Sequence, residues 1–318
     1  MKLTLIALGL AVATPAFAAG PQAPSLAFPL ACTIGASCEI QHYLDLDAGP
    51  GVRDYHGGRR TYDGHNGVDL RVADLATAAR TDVLAAAPGR VARLRDGVAD
   101  VSIRAGGAPD VEGRECGNGV VIDHGGGWET QYCHLARGSL KVKVGDVVKA
   151  GQPIARVGLS GNTEFAHLHL SVRHDGAVVD PFAPSPRAAP LWNAQAMKVL
   201  SYKAGAVLNV GFSAGPVDQA KIEAGPPARP SRDSAALVAY GRAIELERGD
   251  EIYVALRGPG GALLGENRVV LDRDKAQYLL YAGRKRPATG WPTGRYAARI
   301  EVRRGGKVAI AKGADLTF

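Results

Sequence analysis

The chain has 318 residues, 46% of them hydrophobic and 22% charged, which suits about two globular domains with real cores and exceeds any small disulfide scaffold. Gly and Pro number 41 and 19 without a triplet period, which excludes collagen and disfavours low-complexity disorder. The formal charge of +7 is unevenly placed: residues 19 to 186 carry 16 Lys and Arg against 19 Asp and Glu, and residues 187 to 318 carry 21 against 12.

Lys2, the apolar run from Leu3 to Val12 and the small-residue stretch ending in Ala16-Phe17-Ala18 have the architecture of a secretory signal over residues 1–18, with Ala19 expected at the mature N-terminus. The run is shorter than the roughly 20 residues of a spanning helix. No later run is long enough either, so no membrane span is expected. The expected location is secreted or periplasmic, where disulfides form. Four cysteines allow three pairings. Their spacing favours Cys32 with Cys38 and Cys116 with Cys133 over a free, nucleophilic Cys133.

Residues 19–59 are rich in Gly, Pro and Asp and show no period, which predicts an irregular lead-in segment held by its small disulfide. Compact apolar or alternating runs then predict strands at Leu84 to Val91, Gly119 to Asp123, Thr130 to Leu135, Gln152 to Val157 and His167 to Val172. Gly-rich turns separate them, so residues 60–186 are expected to form an all-β domain. Pro181, Pro184, Pro186 and Pro190 predict a linker. Alternation resumes at Val207 to Phe212, Ile244 to Leu246, Glu251 to Leu256, Arg268 to Leu271, Tyr278 to Tyr281, Tyr296 to Val302 and Lys307 to Ala311. That pattern fits a smaller β-sandwich of immunoglobulin-like type over residues 187–318. Only Ala194 to Leu200 and Ser234 to Gly241 suggest helix.

Eight histidines are present, and their arrangement is the sharpest signal. His65 and Asp69 stand at i and i+4 in His-Asn-Gly-Val-Asp, and His167 and His169 flank Leu168. In a strand, residues two apart share a face, so both imidazoles enter one pocket while Leu168 turns to the core. His65 and Asp69 can converge there. Two nitrogens and one carboxylate oxygen make a three-ligand set that suits Zn2+ and leaves a position open. His42, His56, His124 and His174 read as surface or turn residues. His42, Asp45, Asp47, Asp54 and His56 are also close enough in the chain to reach a groove beside His65, with simple packing as the alternative.

Four blocks stand in order: Gly64 to Leu70, Val83 to Val91 with its Ala87-Pro88-Gly89 turn, Gly117 to Leu135 ending in Tyr132-Cys133-His134-Leu135, and Val144 to Val172 ending in His167-Leu168-His169. Over roughly residues 60 to 183 this series resembles the lysostaphin-like, LytM-type zinc peptidases of family M23. The resemblance implies a mainly β fold with a lysostaphin-like antiparallel sheet, one Zn2+ held by His65, Asp69 and His169, and His134 and His167 as catalytic histidines that do not bind the metal. It also implies an endopeptidase acting on peptidoglycan peptides, with a non-enzymatic wall-binding or amidase-activating protein of the same fold as the alternative. The chain departs from the family at Ser160 to Ala166 and at Ser171, where an acidic residue is usual. Residues 187–318 show no second cluster of His, Cys and carboxylates, so they are expected to bind or orient, and to be removable without loss of zinc. Their surplus charge, notably Arg284-Lys285-Arg286 and Arg303-Arg304, suggests an anionic envelope polymer as partner; nucleic acid is not expected after export.

Overall fold

The computed structural model describes residues 22–105, 110–185 and 187–318. The signal segment expected at residues 1–18 lies outside them. The first sheet system contains β1 (Cys38–Ile40), β2 (Val68–Val72), β3 (Asp82–Leu84), β4 (Gly89–Arg95), β5 (Asn118–Gly125), β6 (Trp128–Leu135), β7 (Val147–Val148), β8 (Pro153–Arg156), β9 (His167–His174) and β10 (Ala177–Val179). An eight-stranded antiparallel sheet runs β1-β2-β9-β6-β5-β4-β7, with β10 on β9, and β3 pairs separately with β8.

Strand alternation decides what each face carries. Val68, Leu70 and Val72 of β2 and Leu168, Leu170 and Val172 of β9 enter the core. Asp69, Arg71, His167, His169 and Ser171 are thereby turned to the opposite face. Asp69 stands directly across from His169, and Arg71 from His167.

The lead-in is more ordered than its composition suggests. Cys38–Ile40 is the edge strand beside β2, and Leu26, Leu30, Ile40 and Tyr43 sit in the first core. A segment without period can still fold when its few apolar residues are met by a sheet already formed elsewhere. The run Leu84 to Val91 is broken by the Ala87-Pro88-Gly89 turn, so β3 and β4 join different sheets.

The second sheet system comprises β11 (Ala206–Ser213), β12 (Ala236–Leu246), β13 (Glu251–Arg257), β14 (Leu263–Val270), β15 (Lys275–Lys285), β16 (Arg295–Arg304) and β17 (Lys307–Thr317). Sheets β11-β12-β15 and β14-β13-β16-β17 face each other across a core with Leu237, Ile252, Leu256, Trp291 and Ile300. Short helices α1 (Leu75–Ala78), α2 (Ala194–Met197) and α3 (Gln219–Ala224) punctuate the chain. Asn193 caps α2 by accepting from the Ala196 amide. Ser234 to Gly241 is not helical: from Ala236 onward it belongs to β12, where pairing on both sides by β11 and β15 overrides the local pattern. Among the described residues no helix is long and apolar enough to cross a membrane.

The two systems are less separable than the prolines suggested. Leu191, Trp192, Ala196 and Leu200, beyond the prolines, pack into the first core. Arg71 is wholly buried beneath the second system: it donates to Gln41, to Glu223 of α3 and to Gln277 of β15, and its guanidinium lies 3.8 Å from the Phe165 ring centroid. Arg242 of β12 joins the same Glu223 and donates to the Ala73 carbonyl. Arg303 and Arg304, read as part of a free basic patch, are engaged by Glu251, Glu301, Asp250 and Glu247.

Candidate active site

The site forms where β2, β9 and β6 lie side by side. His65 ends the turn before β2, Asp69 sits within β2, and His169 faces it from β9. Asp69 Oδ1 is 3.2 Å from His65 Nε2 and 2.9 Å from His169 Nδ1, and the two nitrogens are 3.2 Å apart. These are the three residues that the sequence pattern singled out as a ligand set, and their candidate donor atoms all lie within 4.8 Å of one another.

The remaining ring atoms fix the tautomers. His65 Nδ1 donates to the Tyr43 carbonyl at 2.6 Å, which leaves its Nε2 bare. His169 Nε2 faces Asn66 Oδ1 at 3.1 Å and Ser171 Oγ at 3.0 Å, partners that take its proton in the tautomer that bares Nδ1 to a metal. Two lone pairs and a carboxylate oxygen thus converge with no proton between the nitrogens. A tetrahedral zinc with bonds of about 2.0–2.1 Å separates its ligands by roughly 3.3 Å, so the donor set fits that ion. Gly67 permits the packing: a Cβ on it would lie 2.6 Å from His169 Nε2.

His134 and His167 stand beside this set, their ring centroids 4.6 Å apart. His167 Nδ1 donates to the Phe165 carbonyl at 2.9 Å, which leaves Nε2 turned towards Asp69 Oδ1, 3.4 Å away. His134 Nδ1 donates to the Ser160 carbonyl at 2.8 Å. A bulge aims this ring: Cys133 and His134 together oppose Gly119, and His134 takes φ 60, a left-handed conformation uncommon outside glycine. The Cys116–Cys133 bridge closes the loop next to it, with Sγ atoms 2.10 Å apart, and Cys32–Cys38 is joined at 2.03 Å.

Burial and neighbours set the charges. Burial alone would raise the Asp69 carboxyl, but the facing His65 and His167 hold it well below the ordinary aspartate value. Burial, then the adjacent His167 and His169, push His134 well below the usual imidazole value, so it is neutral and able to accept a proton at neutral pH. His169 is lowered too, chiefly by burial. The groove above measures about 350 Å³ and is lined by Tyr62, Asn66, Gln131, Asn162 and Arg173 as well as His65, His134 and His169.

His42 was misread. It is buried, not a surface or turn residue, and its Nδ1 lies 2.9 Å from Asp69 Oδ2. Burial opposes its charge, but the carboxylates of Glu245 and Asp69 override that and raise it to about 9. Its nearness in the chain to His65 had made it one of several candidates to reach the groove, but nothing pointed to Glu245, which comes from the far end of the chain. The other lead-in carboxylates are engaged elsewhere: Asp45 accepts from the amides of Asp47, Arg53 and Gly64, and Asp54 from those of His56, Gly58 and Arg60 and from the Tyr202 hydroxyl. His56 is exposed and stacks on Tyr202, and His174 stacks on Trp128.

An antiparallel β scaffold presenting two imidazoles and a carboxylate in a groove beside two further histidines defines the class of metallohydrolase-type sites. Residues 63–181 match the family model described as Peptidase family M23. Among curated relatives, the chain is 36% identical over 117 residues to an uncharacterized metalloprotease of Haemophilus influenzae, covering 37% of this chain and 20% of that protein. It is 43% identical over 56 residues to the peptidoglycan DD-endopeptidase ShyB of Vibrio cholerae, covering 18% and 13%. It is 42% identical over 62 residues to the murein hydrolase activator EnvC of Escherichia coli, covering 20% and 14%. The matched stretch therefore spans a fifth or less of the length of these relatives.

Proposed function

We propose that the chain is an exported zinc metalloendopeptidase that hydrolyses peptide cross-links in peptidoglycan. The convergence of His65 Nε2, Asp69 Oδ1 and His169 Nδ1, both nitrogens bare, carries this reading. A zinc ion bound there supplies Lewis acidity that polarises a peptide carbonyl and acidifies water. Neutral His134, anchored through Nδ1 on Ser160, leaves Nε2 free to take a proton from the attacking water. His167, anchored on Phe165 through Nδ1, flanks the same centre as the second histidine of the pair, its ring centroid 4.6 Å from that of His134. Burial of the site keeps these hydrogen bonds out of competition with solvent.

The rival reading, a non-enzymatic activator, is favoured by the likeness to EnvC. Against it, this chain fills the three ligand and two flanking positions with His and Asp. Elemental analysis and digestion of purified peptidoglycan with mass readout separate the two. Replacing His65, Asp69 or His169 by Ala is expected to strip zinc, whereas His134→Ala and His167→Ala keep it and lose turnover by about 10²- to 10⁴-fold. A native protein that holds zinc and releases no muropeptide would favour the activator. The basic surplus of residues 187–318 supports an anionic envelope polymer as a second partner, carried by residues such as Arg284 and Lys285 now that Arg303 and Arg304 are paired. Pelleting with cell wall that persists unchanged at high salt would count against that partner.

A further inference from the structure

Asp69 uses its two oxygens differently. Oδ1 faces the ligand nitrogens, while Oδ2 points away and lies 2.9 Å from His42 Nδ1. The other ring nitrogen of His42, Nε2, is 3.3 Å from Glu245 Oε1 on β12. That oxygen accepts from Gln41 Nε2 at 2.7 Å, and the same amide donates to the Ala276 carbonyl at 3.0 Å, which holds Glu245 from the side. The series is shielded from water: His42 and Asp69 are buried, and the Glu245 side chain is 8% exposed.

A carboxylate in such a place is costly unless it is paired, and Glu245 also adopts φ 55 within a strand. Three non-glycine residues among those described have positive φ, and two of them, His134 and Glu245, direct side chains towards this centre. Backbone strain of this kind persists only where surrounding structure holds it, and it gathers at working sites.

We infer that His42 and Glu245 are positioning residues of the metal centre. They hold the outer oxygen of Asp69 so that Oδ1 alone is presented to the ion, and the second sheet system thereby supplies part of the site. The inference rests on Asp69 being a ligand. Glu245 does not reach the ligand atoms, so its influence passes through His42. Outer hydrogen bonds of this kind set a ligand's orientation, and their loss typically weakens metal binding about 10- to 100-fold.

The test uses the full chain, with zinc affinity measured by chelator competition and the visible spectrum of the cobalt-substituted protein as a second readout. Glu245→Gln keeps an acceptor for Gln41, so its apoprotein should unfold at nearly the native temperature while its zinc affinity falls about 10-fold. His42→Ala should fall further, and the double variant no further than His42→Ala alone. The cobalt absorption of Glu245→Gln should weaken as Asp69 turns to offer both oxygens. Unchanged affinity and spectrum in Glu245→Gln, with zinc lost in Asp69→Ala, would overturn the inference alone. Additive losses in the double variant would also overturn it. Zinc retained in Asp69→Ala would instead overturn the ligand assignment, and this inference with it.

Discussion

Single residues carry the sharpest physics, and not only at the groove. Asp180 is buried after β10; its Oδ1 accepts from the Phe182 amide at 2.7 Å, while Oδ2 has no partner among the described residues. Burial raises this carboxyl from 3.8 to about 6. A folded-state value above the unfolded one means that the native protein takes up the proton first. Asp180 therefore weighs against folding above pH 6, and that penalty fades as pH falls from 6 to below 3.8. At about 1.4 kcal/mol per pH unit, the stability of Asp180→Asn relative to the native protein should be more favourable at pH 7 than at pH 3.5 by up to about 3 kcal/mol. Urea midpoints of the two proteins at both pH values measure this, and parallel pH profiles would refute it. The same scale shows how legible the site was. His65, Asp69, His167 and His169 could be read because period-2 spacing in one strand and close spacing around a turn are local. His42 could not, since its meaning depends on Asp69 across a turn and on Glu245 across the chain.

Among the elements, β6 shows why a strand can be read while its irregularity cannot. Thr130 to Leu135 reads as a strand from alternation, but the bulge that opposes Cys133 and His134 to Gly119 is a property of the pair β5 and β6 together. The bulge decides where His134 points, and the Cys116–Cys133 bridge holds it, helped by the His134 amide donating to the Cys116 carbonyl at 2.8 Å. On the proposed function, replacing both cysteines by Ser should therefore disturb His134 and spare His65, Asp69 and His169. Turnover on a soluble peptide should drop by about 10- to 100-fold, the effect of displacing an acid-base group by about an ångström, while zinc content stays near one per chain. Loss of zinc along with turnover would show that the bridge supports the ligand strands as well. Ser234 to Gly241 failed for the same non-local reason: a central strand takes its conformation from two neighbours, and neither is visible in an eight-residue window.

For the whole molecule, the strands of both β systems were legible in the sequence, whereas the packing of Leu191 to Leu200 into the first core was not. Prolines mark where the backbone leaves a sheet; they do not mark where apolar burial stops. A chain ending at residue 186 would lose Leu191, Trp192, Ala196 and Leu200 from the first core, each worth about 1.5–3 kcal/mol when fully buried except the small Ala196. It would also leave the Arg71 guanidinium without Glu223 and Gln277. Removing residues 187–318 is therefore expected to lower thermal stability sharply and weaken zinc binding. A chain ending at residue 204 should recover much of the stability and little of the zinc affinity. Scanning calorimetry with metal titration on the two chains checks this, and full zinc affinity in the shorter one would disprove it.

The cover that Glu223 and Gln277 give Arg71, and that Glu245 gives His42 beside the proposed metal centre, bears on how such a site could be transplanted. A swap that joins residues 60–186 to a foreign wall-binding module would carry over every residue of the family motif and leave behind the cover of Arg71 and the outer support of Asp69. Such a chimera should bind its new target while cutting poorly. On the proposed function, cutting should return when the transplant also includes residues 22–59 and the second sheet system; digestion of purified peptidoglycan by the two chimeras checks this, and equal cutting by both would refute it.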